Sequence, residues 1–123
     1  MAFVNNGMFV TARQYHTTST GDGYSLVTGG APLTYGAKLL GIIVSNVSGT
    51  AGWAQVFDGY AQPAGGAVPL LSIQVAAGSQ NSLDCSVFNC VSVTKGIVIT
   101  LSSTINTYTA INSGLVVFCA WID

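Results

Sequence analysis

The chain has 123 residues, 50% of them hydrophobic and only 6% Asp, Glu, Lys or Arg. That is one domain of ordinary size, able to build a core without a metal or a disulfide. The ionised side chains are Arg13, Lys38, Lys95, Asp22, Asp58, Asp84 and Asp123, for a formal net charge of −1, and three scattered cations cannot supply the phosphate contacts of a nucleic-acid site.

From the N-terminus, MAFVNNGMFV has neither the basic start nor the long apolar stretch of a secretory leader. Synthesis and assembly in the cytosol are therefore expected. Residues 1–34 show scattered aromatics, Asn-Gly and Gly-Asp-Gly turns and no sustained alternation. They read either as a small hairpin about Asn6-Gly7 or as an extended arm ordered by a neighbour, with the arm favoured. A domain over 35–123 follows this extension.

No segment carries apolar residues at helical spacing over three turns. Short β-branched and aromatic runs alternate instead with Gly, Pro, Asn and Ser. A first short strand is expected over 24–28. A long one covers 37–46, with Leu40, Ile42 and Val44 on one side and Leu39, Gly41 and Ile43 on the other. After the turn NVSGTAG, residues 52–58 return as its hairpin partner. The segment DGYAQPAGGAVP reads as a loop held by Pro63, Gly65, Gly66 and Pro69. Residues 70–75 place Leu71, Ile73 and Val75 on one face. One or two weaker strands lie in 81–93, a clean one in 96–102 (Ile97, Ile99, Leu101), a short one in 106–111 and the last in 115–122. About eight short strands with turns every 8–12 residues predict an all-β antiparallel sandwich or barrel.

Two strands are apolar on both sides. Leu115, Val117, Cys119 and Trp121 oppose Val116, Phe118, Ala120 and Ile122, and Trp53 and Phe57 oppose Ala54 and Val56. Such a strand is either central in the core or covered by a partner. The longest apolar runs, LLGIIV and LVVFCAWI, are far short of the roughly 20 residues that span a bilayer, so no membrane partner is expected.

Catalytic chemistry is poorly supplied. There is one histidine, His16, and no glutamate. A Ser–His–Asp triad would have to recruit His16 from QYHTTST, and no G-x-S-x-G elbow surrounds any serine. A Cys–His pair would need His16 beside Cys85, Cys90 or Cys119, all from the far half of the chain. Cys85 and Cys90 can bridge across a turn or stay reduced, and Cys119 reads as a small hydrophobe. A zinc site would need a fourth ligand that only His16 supplies. The glycine-rich stretches TGGAP and PAGGAVP lack the Lys-Ser/Thr of a phosphate loop. Asp22 with Asp58 could bind calcium, but carboxylates isolated among glycines are commoner as turn residues. Asn46-Val47-Ser48 matches the glycosylation pattern, but the simpler reading is that Asn46 ends a strand. Trp53, Tyr60, Tyr35 and Tyr108 could form a sugar platform, although packing is the commoner use of such rings. The expectation is a non-enzyme with no cofactor and no metal.

Across 37–122 a series of short pieces arrives in order. These are Ser45-Asn46, Ser48-Gly49, Ala51-Gly52, Gln55-Val56-Phe57-Asp58, Pro63-Ala64, Gly66-Ala67-Val68-Pro69, Ala77-Gly78, Gly96-Ile97-Val98 and Leu101-Ser102-Ser103-Thr104. This pattern resembles small virion proteins of tailed bacteriophages and covers about two-thirds of the chain. The resemblance implies a β-sandwich, often jelly-roll-like, used as a head decoration (cement) protein or as part of a fibre. Decoration proteins of this kind are frequently trimers at threefold positions of the shell.

The expected function is then adhesion to the outer surface of a phage head. The partners are the major capsid protein and further copies of the chain, a homotrimer being favoured, and the location is the virion, assembled in the host cytoplasm. The expected contact residues are Phe3, Phe9, Tyr15, Trp53, Phe57, Phe118 and Trp121. A fibre module that binds a receptor or glycan is the alternative.

Overall fold

The structure is a computed structural model that describes residues 3–5, 8–10, 13–20, 23–84, 91–111 and 115–122, with side chains over 23–83 and 91–111. The described residues form strands without a helix: β1 Phe3–Asn5, β2 Met8–Val10, β3 Arg13–Thr20, β4 Tyr24–Leu26, β5 Ala37–Asn46, β6 Gly52–Asp58, β7 Leu71–Val75, β8 Ser79–Asp84, β9 Val91–Val93, β10 Ile97–Ser102 and β11 Leu115–Ile122. Every pairing is antiparallel. One sheet runs β4-β10-β6-β7, a second runs β3-β11-β5-β8 with β9 also on β5, and β1 pairs only β2.

The two large sheets share one core. The five-stranded sheet contributes Leu39, Ile42, Val44, Val91 and Val93 to it, and the four-stranded sheet contributes Ala54, Val56, Val75, Ile97, Ile99 and Leu101. Leu71 and Ile73 pack against the same cluster, so the alternation expected of 70–75 and 96–102 is the one observed.

Strand β5 departs from strict alternation. Leu39 is buried and Leu40 is half-buried, the reverse of the expected assignment. Opposite them Trp121 pairs Gly41 while Ile122 pairs Leu39. The extra residue, Leu40, is a bulge, and beyond it the strand's faces exchange. A single-residue slip of this kind depends on the partner strand and leaves no mark in the alternation of 37–46.

Residues 106–111 form no strand and make only the isolated bridge Ser102↔Ala110. The hydroxyls of Ser102 and Thr104 tie the stretch locally instead. Thr104 Oγ1 donates to Thr107 O at 2.6 Å, Ser102 Oγ donates to Thr104 O at 3.0 Å, and Thr109 N donates to Ser102 Oγ at 2.9 Å. Ser and Thr compete with the sheet ladder in this way.

The residues before 35 supply an edge strand to each large sheet, β3 along β11 and β4 along β10. Ahead of them lies a hairpin with Phe3↔Val10, Val4↔Phe9 and Asn5↔Met8 in register. Residues 6–7, which join these two strands, lie outside the described residues. Cys85 and Cys90 lie outside the described residues.

The connection between β5 and β6 is held by Asn46, which is fully buried. Its amide nitrogen donates to Thr50 O at 2.8 Å, and its oxygen accepts from Ser48 N at 3.0 Å and Ser48 Oγ at 2.6 Å. An amide so enclosed ends the strand and orders the turn, and a glycan has no room on it.

Candidate functional site

The outward side of the four-stranded sheet carries Leu26, Val98 and Phe57 in one row, Tyr24, Thr100 and Gln55 in the next, and Ser102 and Trp53 in a third. Two loops of the same chain roof this side. Tyr108 meets Phe57 edge-on, with ring centroids 5.7 Å apart and planes at 72°. Val98, Leu26 and Ala67 complete this small cluster. The two loops are tied to each other, since Tyr108 N donates to Ala67 O at 2.8 Å and Gly66 N donates to Tyr108 O at 2.9 Å. Gln55, fully buried, points its amide nitrogen at the carbonyls of Thr104 (2.8 Å), Ile105 (3.1 Å) and Thr107 (3.2 Å). That fixes the amide's orientation, because its oxygen would meet three carbonyls if turned over.

The roof turns an apolar surface outward. Val68 is 76% exposed, Leu70 52% and Ile105 45%. Beside Val68 and Ile105 runs a groove of about 360 Å3, lined by these two with Pro69, Leu71, Ser72 and Asn106. Ser72 Oγ bonds Ile105 O at 2.7 Å and closes its floor. No ionised side chain lines it. A groove of this character can hold an apolar side chain or an extended segment, and it offers no acid, base or nucleophile other than a hydroxyl.

The other end of β6 holds a charged latch. Asp58 Oδ1 accepts from Lys95 N at 2.8 Å and Gly96 N at 3.3 Å, while Oδ2 accepts from Thr94 N at 3.1 Å and Thr94 Oγ1 at 3.2 Å. Burial by itself pushes the carboxyl up. The hydrogen bonds from Lys95, Thr94 and Gly96 outweigh that, so its pKa lies below the ordinary carboxylate value. Asp58 is thus a turn clamp. Among the described residues no three His, Cys, Asp or Glu side chains gather as a metal cluster.

The residues expected from sequence to make contacts fall in different places. Phe57 is 8% exposed and packs under the roof, so most of its ring is taken up within the chain. Trp53 is half-buried on the same side. Phe3 and Phe9 lie on the hairpin, Tyr15 on β3, and Phe118 and Trp121 on β11. By register Phe118 shares a row with Val44 and Tyr15 shares one with Ile42, rows that on β5 belong to the core. Trp121 shares a row with Gly41. Of the possible sugar platform, Tyr108 is buried, Tyr35 is 84% exposed and Tyr60 is 40% exposed.

Register also sets His16 opposite Cys119. Strand β11 is paired on both sides, to β3 and to β5. Its backbone N–H groups near Cys119 are committed to those ladders and cannot form an oxyanion site. Val68, Leu70 and Ile105 were not singled out by sequence reasoning. They sit in loops without periodicity, and their only signal is the presence of apolar residues among Gly, Pro and Asn.

No protein-family model matches the chain, and no curated protein matches it.

Proposed function

We propose that this protein is a non-enzymatic structural protein of a phage virion, a decoration or cement protein that holds to the outer surface of the head by apolar contacts with the major capsid protein. The observation that carries this reading is the exposed, uncharged apolar patch of Val68, Leu70 and Ile105, the first and last of which line the groove, on a chain of which only 6% is Asp, Glu, Lys or Arg. Monomers that live free in solution rarely combine the two. Three of the phage-like pieces come together near it: Gln55 and Phe57 of the first lie under the roof, Gly66–Pro69 forms one side of it and Leu101–Thr104 leads into the other.

The finer fold we propose is a jelly-roll β-sandwich. Apart from the hairpin and β9, the eight remaining strands divide as β3, β11, β5, β8 against β4, β10, β6, β7. Each successive strand crosses to the other sheet except β6 to β7, and the first and last are neighbours, an order that supports the wrapping of two Greek keys.

Fully burying an aliphatic side chain of this size stabilises a complex by about 1.5–3 kcal/mol before association costs. Heads lacking the protein, incubated with purified chain and sedimented, are expected to carry it down, and Leu70→Asp is expected to reduce binding at least tenfold. Failure of the unmodified chain to bind, or equal binding by Leu70→Asp and Ile105→Asp, overturns the reading.

A receptor- or glycan-binding fibre module is the second reading, favoured by the exposure of Tyr35 and Tyr60. It calls for glycan-array binding that is lost in Tyr35→Ala. A blank array on correctly assembled protein removes it.

A further inference from the structure

Beneath the middle of the roof, the four-stranded sheet turns a polar row outward. Register sets Thr100 directly across from Gln55, with Tyr24 on the other side of Thr100. Residues paired in this way direct their side chains to the same side of the sheet, with Cβ atoms about 5 Å apart. The neighbouring row of Leu26, Val98 and Phe57 is apolar and packs against Tyr108 and Ala67 of the roof. Gln55 and Thr100 are both shut off from solvent, at 0% exposure.

Their polar atoms are unevenly used. Gln55 commits its amide nitrogen to the carbonyls of Thr104, Ile105 and Thr107. Its Oε1 and the Oγ1 of Thr100 have no hydrogen-bond partner among the described residues. Turning the amide over is no remedy, because an oxygen would then face three carbonyls. Nor do the two atoms serve each other. A direct bond from the hydroxyl to the amide oxygen would satisfy both, and it is not made. Buried polar atoms are nearly always paired, so two orphans facing each other across one ladder call for a common partner.

We infer that one water molecule is held beneath the roof, bridging Gln55 Oε1 and Thr100 Oγ1. The two atoms suit water. The amide oxygen only accepts, the hydroxyl accepts and donates, and water can do both. One O–H of the water goes to Oε1, and its bond with Thr100 can run in either direction. Globular proteins hold about one buried water for every 27 residues, settled on polar groups of this kind, so a chain of 123 residues has room for several. A calcium ion fits less well, since it takes six to eight oxygens and favours carboxylates, and the row of Tyr24, Thr100 and Gln55 contains none. With the water in place, Gln55 is fixed at both ends of its amide, the nitrogen by the loop and the oxygen by the sheet. The loop bearing Ile105 is thereby anchored to β10 as well as to β6. The inference does not depend on what the apolar patch binds.

Thr100→Val tests it through the sign of its effect. The two side chains have nearly the same shape, so the exchange opens no large cavity. If the hydroxyl were an orphan, replacing it by a methyl group would remove an unpaired buried atom and leave the protein as stable as before or more so. If the hydroxyl holds the water, the exchange takes away one of the water's two anchors. The unfolding equilibrium constant from urea titration is then expected to rise about fivefold. A crystal structure of the full chain at about 1.5 Å reads the same site directly. One density peak is expected within about 3.2 Å of both atoms in the parent, and it should be gone in Thr100→Val. The inference is overturned by no peak in the parent, a direct bond between Thr100 and Gln55, or a peak with the short contacts of a metal ion. A peak unchanged in Thr100→Val, or a variant at least as stable as the parent, overturns it equally.

Discussion

On the four-stranded sheet, the outward residues Gln55 and Phe57 of β6 lie beneath two loops of the same chain. On the five-stranded sheet, the outward residues Ile43 and Ser45 of β5 stay within reach of solvent. Both sheets contain a strand that is apolar on both sides, β6 in the first and β11 in the second. The comparison shows that such a strand does not by itself report a partner. For β6 the cover is intramolecular, and the contact surface has moved outward onto the roof, to Val68, Leu70 and Ile105. Beside β11, Ile43 and Ser45 of β5 are part-exposed, with no such roof over them among the described residues.

Substitutions should separate the two sides by their cost. Phe57→Ala and Tyr108→Ala empty the space beneath the roof, and each is expected to lower unfolding free energy by about 3 kcal/mol in urea titrations. Ile43→Ala on the open side should cost less than about 1 kcal/mol. Equal costs would mean that the two sides are packed alike.

Gln55→Leu sharpens the same contrast. It leaves the carbonyls of Thr104, Ile105 and Thr107 without their donor, for an expected loss of about 2 kcal/mol. Hydrogen exchange at Ser103 and Tyr108, whose amides bond Thr109 O and Ala67 O, should quicken while exchange along β5 stays unchanged.

A smaller effect attends Asp58→Asn, about 1 kcal/mol at neutral pH after screening at an exposed site is allowed for. Because the folded pKa of Asp58 is lowered, its contribution is fully present above the ordinary carboxylate value and is lost as pH falls through the lowered one. The variant should therefore differ from the parent at pH 7 and converge with it in acid. A constant difference across that range would show that the carboxylate charge is not what clamps the turn. Smallest of all, Leu70→Ser on top of the roof should change stability by less than about 0.5 kcal/mol while weakening attachment to heads.

Much of the fold is legible in the residues themselves. Strands over 37–46, 52–58 and 115–122 have the expected limits because their runs are long and bounded by Asn, Gly and Asp. Local pattern fails where distant contacts decide. The bulge at Leu40 is set by pairing with β11, and the hydroxyls of Ser102 and Thr104 hold 103–109 out of the sheet. The candidate surface was the least legible part. Trp53 and Phe57 stand out by size and by two-sidedness, but the loops that cover them lie up to about fifty residues away in the chain. Val68, Leu70 and Ile105 became exposed because those loops fold back, which no local pattern encodes.

Attachment through apolar surface is tested most directly by ionic strength. Virions or reconstituted heads carrying the protein should be washed through rising NaCl to about 1 M, where ionic contacts are screened within roughly 3 Å, and the bound fraction measured after sedimentation. Retention through the highest salt is the expected result. Release at a few tenths molar would mean that charge pairs hold the protein to the shell, contrary to everything argued for the groove.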